Sequence, residues 1–456
     1  MEVIIRKRVV LFIATLSSFL TPFMGSAITV ALPSIGREFA VDAVLLGWVT
    51  TAYLLAAAMF LVPFGRIADI YGRKKIFTCG MVVFALSLFL SANSTSLPLL
   101  VSFQALQGIG GAMIYGTSVA ILTSAFPLGE RGKVLGINAA ATYSGISLGP
   151  FLGGVLTERF SWRSIFLAGL FLCLMIIAIV FGKLKGEWAG ARGERFDLVG
   201  SVIYSISLAA VIYGFSLLPS TFGMLLIFAG GLGLLAFFIL ETQMKNPVLN
   251  VHLFLSNRVF AFSNLAALIN YSATFAVSFL LSLYLQYVKG LSPQSAGLVL
   301  LAQPVVQAVM SPFSGRLSDK VEPRIVASAG MTLTFAGLLL FAFLNEGTAL
   351  SLIVANLSLL GLGFALFSSP NTNAVMSSVE RRFYGVASGT LGTMRLIGQT
   401  LSMAIAMLIL TLYLGRVQIT PEQYPLFLEG VKTVFMVFSA LCFLGVFASL
   451  VRGRLR

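Results

Sequence analysis

The stretch GRIADIYGRKKI, residues 65–76, gathers Arg66, Asp69, Arg73, Lys74 and Lys75 in a chain that is only 10% charged. Carboxylate and guanidinium groups at this spacing can form charge-assisted hydrogen bonds with each other, with helix ends or with a second charged element. The remaining reactive residue types do not assemble into a catalytic set. His252 is the only histidine, so a histidine metal cluster or proton relay has no members. Cys79, Cys173 and Cys442 lie far apart in or near apolar runs and read as apolar fill. GIGGA after Gln107 sits inside an apolar run with no strand before it, which argues against a dinucleotide-binding turn. No enzymatic activity, metal or cofactor is expected.

The elements that must position these residues are membrane spans. The chain of 456 residues is 58% hydrophobic, with a mean hydropathy of +0.97. A soluble domain carries about a quarter charged residues, so this is an integral membrane protein. A spanning helix needs roughly 20 apolar residues. Fourteen runs qualify, at about 9–32, 46–66, 75–93, 98–122, 134–156, 162–182, 198–218, 221–240, 260–287, 295–317, 325–344, 349–370, 384–412 and 428–450. The first follows Arg6, Lys7 and Arg8 and is too long for the core of a cleavable leader. Placing both termini in the cytoplasm puts 23 of the 30 Lys and Arg on the inner side and 6 on the outer, with Arg395 inside a span. The net charge of +14 then reads as an orientation signal suited to anionic inner-leaflet lipid. It is not a nucleic-acid footprint. The expected location is the cell (inner or plasma) membrane.

The basic cluster recurs 250 residues on. Gly65-Arg66-x-x-Asp69 returns as Gly315-Arg316-x-x-Asp319, Glu130-Arg131 as Glu380-Arg381, and Gly47 as Gly297. Anchors on one offset indicate a duplicated half running in the same sense. Six helices with short loops need about 180–200 residues, and the excess fits two extra helices. The expected fold is an all-α bundle of 6 + 2 + 6 helices. The first half spans 1–184, a loop and the inserted helices 185–245, and the second half 246–456.

These residues resemble the Major Facilitator Superfamily, in its fourteen-helix drug:proton antiporter branch, over nearly the whole chain. Gly65 to Lys75, with Gly72 and Arg73, is similar to the family's loop 2–3 signature. YSGISLGPFLGG (Tyr143–Gly154) resembles the antiporter signature of helix 5, and FQALQGIGGA (Phe103–Ala112) that of helix 4. NPVLNVHLFLSNRVF and LYLQYVKGLSPQSAGLVLL resemble the segment after the extra helices. The resemblance implies alternating access, proton coupling and export.

Read from the residues, Gly65 permits close backbone approach. Asp69 can accept from a helix N-terminus or from an Arg of the other half, and Arg73 can donate to carbonyls at a helix end. Contacts that form in one arrangement of the halves act as a latch. Gly65, Asp69, Gly72, Arg73, Arg131, Gly315 and Asp319 are its candidates, whereas Lys74 and Lys75 read as topology anchors. Gly145, Gly149 and Gly153 share one face of helix 5, with Pro150 and Gly154 beside them. They predict a kinked, tightly packed joint at the interface of the halves, against the alternative of ordinary small-residue packing.

Two positions depart from the family pattern. Gln104 stands where helix 4 normally carries Arg, and Met24 where helix 1 normally carries an acid. All sixteen carboxylates fall in loops or at helix ends, and no mid-membrane acid remains for a proton relay. Thr21, Met24, Gln104, Asn138, Asn270, Gln303 and Gln307 are candidate solute-lining positions or interhelical glue. Arg395 aligns with Gly145 at the 250-residue offset. It is the one fixed mid-span charge, compensated by polar groups or by a solute. The expected function is a monomeric secondary transporter exporting small amphiphilic compounds, with protons as coupling ion on the resemblance. The alternative is a metabolite or lipid carrier with neutral or anionic substrate.

Overall fold

The computed structural model describes residues 2–184, 186–191, 193–244, 247–249, 251–380, 384–415 and 417–453. Within these, the side chains at 2–6, 128, 129, 131–133, 252, 319, 384 and 385 lie outside the description. In lipid every backbone polar group must be satisfied within the chain, so long apolar runs fold as helices. The first bundle contains α1 (Glu2–Phe39), α2 (Ala43–Tyr71), α3 (Arg73–Ala92), α4 (Leu97–Ala125), α5 (Leu128–Arg159) and α6 (Arg163–Lys183). Next come α7 (Leu198–Ser216), α8 (Thr221–Gln243) and the short α9 (Val251–Ser256). The second bundle contains α10 (Arg258–Thr274), α11 (Ala276–Leu283), α12 (Pro293–Leu300), α13 (Ala302–Lys320), α14 (Pro323–Phe341), α15 (Leu350–Ser377), α16 (Tyr384–Leu414) and α17 (Tyr424–Val451).

Thirteen stretches of the described residues are long and apolar enough to cross a membrane. The fourteenth span is α5, whose Gly, Ser, Thr and Asn content lowers its hydropathy while its faces pack on α1 and α12. The expected runs 260–287 and 295–317 are each interrupted. The first is α10, α11 and a π-helical turn at Tyr284–Val288, and the second breaks at Leu301 between α12 and α13.

The two bundles repeat each other in packing. In the first, α1 packs on α5 and α6, α4 on α2 and α3, and α3 on α6. In the second, α10 packs on α16 and α17, α15 on α13 and α14, and α14 on α17. Single contacts recur as well. Cys173 donates to the Met81 carbonyl, and Cys442 to the Met331 carbonyl, each at 3.3 Å. A close helix crossing at Gly80 and Gly110 is matched by one at Gly330 and Gly363. Met81 and Met331 keep the 250-residue offset, whereas the two cysteines stand 269 apart, because α17 starts 261 residues after α6 and Cys442 lies eight residues deeper in its helix.

The bundles meet along α1–α11, α5–α12 and α2–α16, the pairs expected of a pseudo-two-fold. The joining contacts gather at the end opposite the basic hairpin. Ser282 donates to the Thr29 carbonyl (2.9 Å), Gln286 to that of Val30 (2.9 Å), and the Gln294 N–H to Glu158 (3.0 Å). The inserted α7 packs on α8 and lies against α2 and α16. Tyr204 and Ser205 of α7 donate to the Ala58 and Met59 carbonyls of α2, each at 2.9 Å. The inserted pair is therefore docked on the seam. The face of α8 carrying Leu225, Phe228, Leu232 and Leu235 is exposed and apolar, as a lipid-facing surface is.

Candidate functional site

The basic hairpin is held within its own half and by the segment after α6. Asp69 pairs with Arg73 one helical turn on, at 2.6 Å. Arg73 also donates to the Ala120 carbonyl (3.2 Å) and to Ser124 (2.5 Å) near the end of α4. Arg73 thus donates near the C-terminal end of α4. Among the described residues Asp69 meets none of the other half in this arrangement, and its acceptor role is filled locally. The side chains of Arg131 and Asp319 lie outside the described residues. Gly65 and Gly315 have no atom within 4 Å of a would-be Cβ, although Gly65 lies under the close crossing at Gly116.

Sequence reasoning missed the clamp on this hairpin. Glu187 accepts from the N–H groups of Lys74 (2.8 Å) and Lys75 (3.3 Å), placing a carboxylate at the N-terminus of α3. The Arg73 N–H bonds the Trp188 carbonyl (2.8 Å), the Ala191 N–H bonds the Asp69 carbonyl (2.9 Å), and Arg66 pairs with Glu194. Gly72 has φ +123°, and a Cβ there would meet the Glu187 carboxyl carbon at 2.5 Å. The position thus requires glycine for both conformation and space. The only signal in the sequence was an acid-bearing segment near a helix N-terminus.

The helix-5 glycines divide between two partners, which corrects the expectation of one joint at the interface. Gly145, Gly149 and Gly153 face Phe19, Ser26 and Ala27 of α1 in the same half. Gly154 and Pro150 meet the other half: Gly154 adjoins Pro293 and Gln294, and the Pro150 carbonyl adjoins Gly297. Adjacent residues on a helix point about 100° apart, so Gly153 and Gly154 cannot share a neighbour. Helical structure continues through Pro150.

At mid-helix the structure brings Arg395 together with groups from both halves. Its Nη2 donates to Thr372 of α15 at 2.8 Å, its guanidinium lies 5.6 Å from the centre of the Tyr271 ring, and its Nε is buried without a partner. Tyr115 of α4 and Tyr143 of α5 stand within electrostatic reach of it. Tyr143 contacts Ser368 of α15 across the seam at 3.4 Å, and Tyr115 lies near Thr21 of α1. A hydroxyl and an aromatic face offset part of the cost of a charge in lipid, about 2.5–3.5 kcal/mol on insertion scales. The three tyrosines were not singled out in the sequence, where nothing distinguishes them from lipid-facing aromatics.

The other expected lining residues scatter. Thr21 donates to the Ser17 carbonyl (3.3 Å). Met24 and Gln104 line one small pocket inside the first half. Asn138 is buried with Oδ1 unpartnered, and Asn270 is buried with neither amide atom partnered. Gln303 lies half-buried with its carbonyl against Gly361, and the Gln307 carbonyl accepts from Ser311 (2.7 Å). Two further buried charges were not singled out in the sequence. Arg452 is 1% exposed and donates to Asn371 at 3.0 Å, tying α17 to α15. Glu241 is buried beside Asp197, and its Oε2 accepts from the Leu249 N–H (3.0 Å).

Two repeated six-helix bundles with a polar site between them define a membrane carrier. The sequence profile of the Major Facilitator Superfamily matches residues 14–256 and 263–455. The chain belongs to that family, and it is a transporter and not an enzyme. It is 30% identical to the multidrug resistance protein Stp of Mycobacterium tuberculosis over 90% of this chain and 77% of that one. It is 32% identical to the cephamycin export protein CmcT of Amycolatopsis lactamdurans, over 87% and 83%. The riboflavin transporter RibZ of Clostridioides difficile is 29% identical, over 86% and 85%. The fold is shared with a bacterial homolog of the lysosomal transporter Spinster, solved in an inward-facing, unoccupied conformation. That likeness has a TM-score of 0.72 at 14% identity, over 98% of this chain and 97% of that one.

Proposed function

We propose that this transporter works by alternating access as a monomer and exports small amphiphilic organic compounds of neutral or anionic character. The observation that carries the reading is Arg395, a fixed positive charge at mid-helix among Tyr115, Tyr143 and Tyr271, contributed by both halves. Among the described residues, every carboxylate on a spanning helix lies in its first or last two turns. A cation entering this site meets repulsion with no counter-charge, whereas an anion or a polarisable aromatic is attracted. Likeness to a multidrug protein and a cephamycin exporter supports efflux. Proton exchange is proposed as the coupling on the resemblance of Tyr143–Gly154 to the antiporter signature.

In this reading the basic hairpin and both termini are cytoplasmic. The packed seam at the opposite end is then the closed outer gate, and the arrangement is inward-facing. Asp69 and Arg73 await partners that form only when the inner end closes. A second reading, a metabolite carrier with a neutral substrate, is favoured by the riboflavin transporter among the relatives.

The test is uptake into inside-out membrane vesicles, with and without a pH gradient. The panel is riboflavin as a neutral compound, a cephamycin as an anion and a permanent dication. The expected outcome is gradient-dependent accumulation of the first two and exclusion of the dication. Robust transport of the dication by the unmodified protein would refute the reading. Gradient-independent transport would remove the proton coupling, and transport of riboflavin alone would select the second reading.

A further inference from the structure

Met24, Gly25, Thr50, Tyr53, Gln104 and Gln107 surround a pocket between α1, α2 and α4. Its cavity volume is about 10 Å³, and the recess around it, open solvent included, holds about 260 Å³ of space between atoms. The cavity itself is room for about one water. Three side-chain atoms around it are buried without a partner: Thr50 Oγ1, Gln104 Nε2 and Gln107 Oε1. Their residues are 4%, 3% and 2% exposed. Buried amides and hydroxyls left unpaired in a low-dielectric span are costly, and native proteins pair nearly all of them. Three of the residues that line one vacancy therefore carry an unpaired donor, acceptor or hydroxyl in its wall.

The pocket carries no fixed charge. Its one ionisable side chain is the phenol of Tyr53, and the sulfur of Met24 and the ring of Phe166 complete an otherwise apolar wall. An ion placed there would be desolvated with nothing to neutralise it. An uncharged group that both donates and accepts would satisfy all three side chains. There is open space at Gly25, where a Cβ would meet no atom within 4 Å. One turn earlier on α1, Thr21 lies near Tyr115, which stands within electrostatic reach of Arg395.

We propose that this pocket is a subsite for an uncharged hydrogen-bonding group of the transported solute, a carboxamide or a hydroxyl, held by Thr50, Gln104 and Gln107. A single water fills it when no solute is bound. The proposal rests on the transport reading above and adds a chemical class to it: the solute presents an uncharged donor–acceptor group towards α4.

Two experiments test it on the full-length chain. The first is a map of the solute-free protein in lipid nanodiscs at a resolution that shows waters. One water within hydrogen-bond distance of the three atoms is expected, and a dry pocket would overturn the proposal whatever the protein transports. The second is vesicle transport of matched amphiphile pairs, each a secondary carboxamide and its ester. The unmodified protein should favour the amide by about tenfold, the worth of one or two hydrogen bonds. Gln104→Leu and Gln107→Leu should remove that preference, and so should Gly25→Leu, which fills the space while keeping every polar group. A preference absent from the unmodified protein, or surviving in all three variants, would overturn the proposal while leaving the transport reading intact. Failure to transport any pair would overturn both.

Discussion

Gly154→Ala separates the packing between the halves from the packing within one. In its present position a Cβ on Gly154 would lie 2.5 Å from the Pro293 oxygen and 2.9 Å from the Gln294 Cα, both main-chain atoms that no rotamer change can move. Ordinary contact begins at 3.4 Å, so α5 and α12 must part by about 0.9 Å. Overpacking of this kind costs about 1–3 kcal/mol. In the proposed alternating-access cycle the halves separate at this end, so the strain is relieved by opening rather than by unfolding. A bias of that size shifts the closed-to-open ratio by roughly 5–150-fold. Gly297→Ala presses on the Pro150 main chain from the other side and should act alike. Gly153→Ala meets the Ala27 oxygen at 2.7 Å, inside one half. It should lower thermal stability without a bias. The assay is thiol labelling of Ser282→Cys by an impermeant reagent, in a Cys79→Ser background, because Ser282 is buried where α11 meets α1 and Cys79 is exposed. Labelling at least fivefold faster in Gly154→Ala is expected. Labelling at the parental rate in a folded Gly154→Ala, or equal acceleration by Gly153→Ala, would refute the reasoning.

Asp69→Asn should reduce transport about fivefold with insertion and abundance near normal, since a partly exposed ion pair with Arg73 is worth about 1 kcal/mol. Asp319→Asn, at the end of α13 where the following connection lacks the second glycine and the basic pair, should do less, and equal tolerance of both changes in vesicle transport would dispose of the latch. Arg395→Gln should lower transport of an anionic cephamycin more than that of neutral riboflavin, measured as the ratio of initial rates. An unchanged ratio would remove Arg395 from the solute site. Gly72→Ala forces a side chain into φ +123° and displaces the Glu187 carboxylate, at a cost of about 1–3 kcal/mol for the strained backbone. Limited proteolysis should cut residues 186–191 faster in this variant, and a parental cleavage rate would show that the clamp does not depend on it. Tags at residue 190 and at the C-terminus should report the cytoplasm and one near Glu346 the outside; an external residue 190 would overturn the helix count.

The membrane class, the helical architecture and the internal repeat were legible in the sequence, because each rests on one-dimensional information. Lipid demands a run of apolar residues per span, and a duplication leaves anchors such as Gly65 and Gly315 at one offset. The special place of Arg395 was legible too, since a charge in an apolar run is conspicuous without any structure. What surrounds it was not. Tyr115, Tyr143 and Tyr271 come from three helices in two halves, and only packing tells a tyrosine facing a charge from one facing lipid. The two faces of helix 5 were hidden for a related reason: glycines declare that something approaches closely but not which helix it is, and Gly153 and Gly154 serve different partners. The clamp of Glu187 on α3, and the three unpartnered polar atoms of Thr50, Gln104 and Gln107 around one vacancy, depend on side chains meeting across unrelated stretches of chain. Such meetings are decided by tertiary structure, because hydrogen bonding is directional and short-ranged, whereas the apolar pattern that builds the helices is neither.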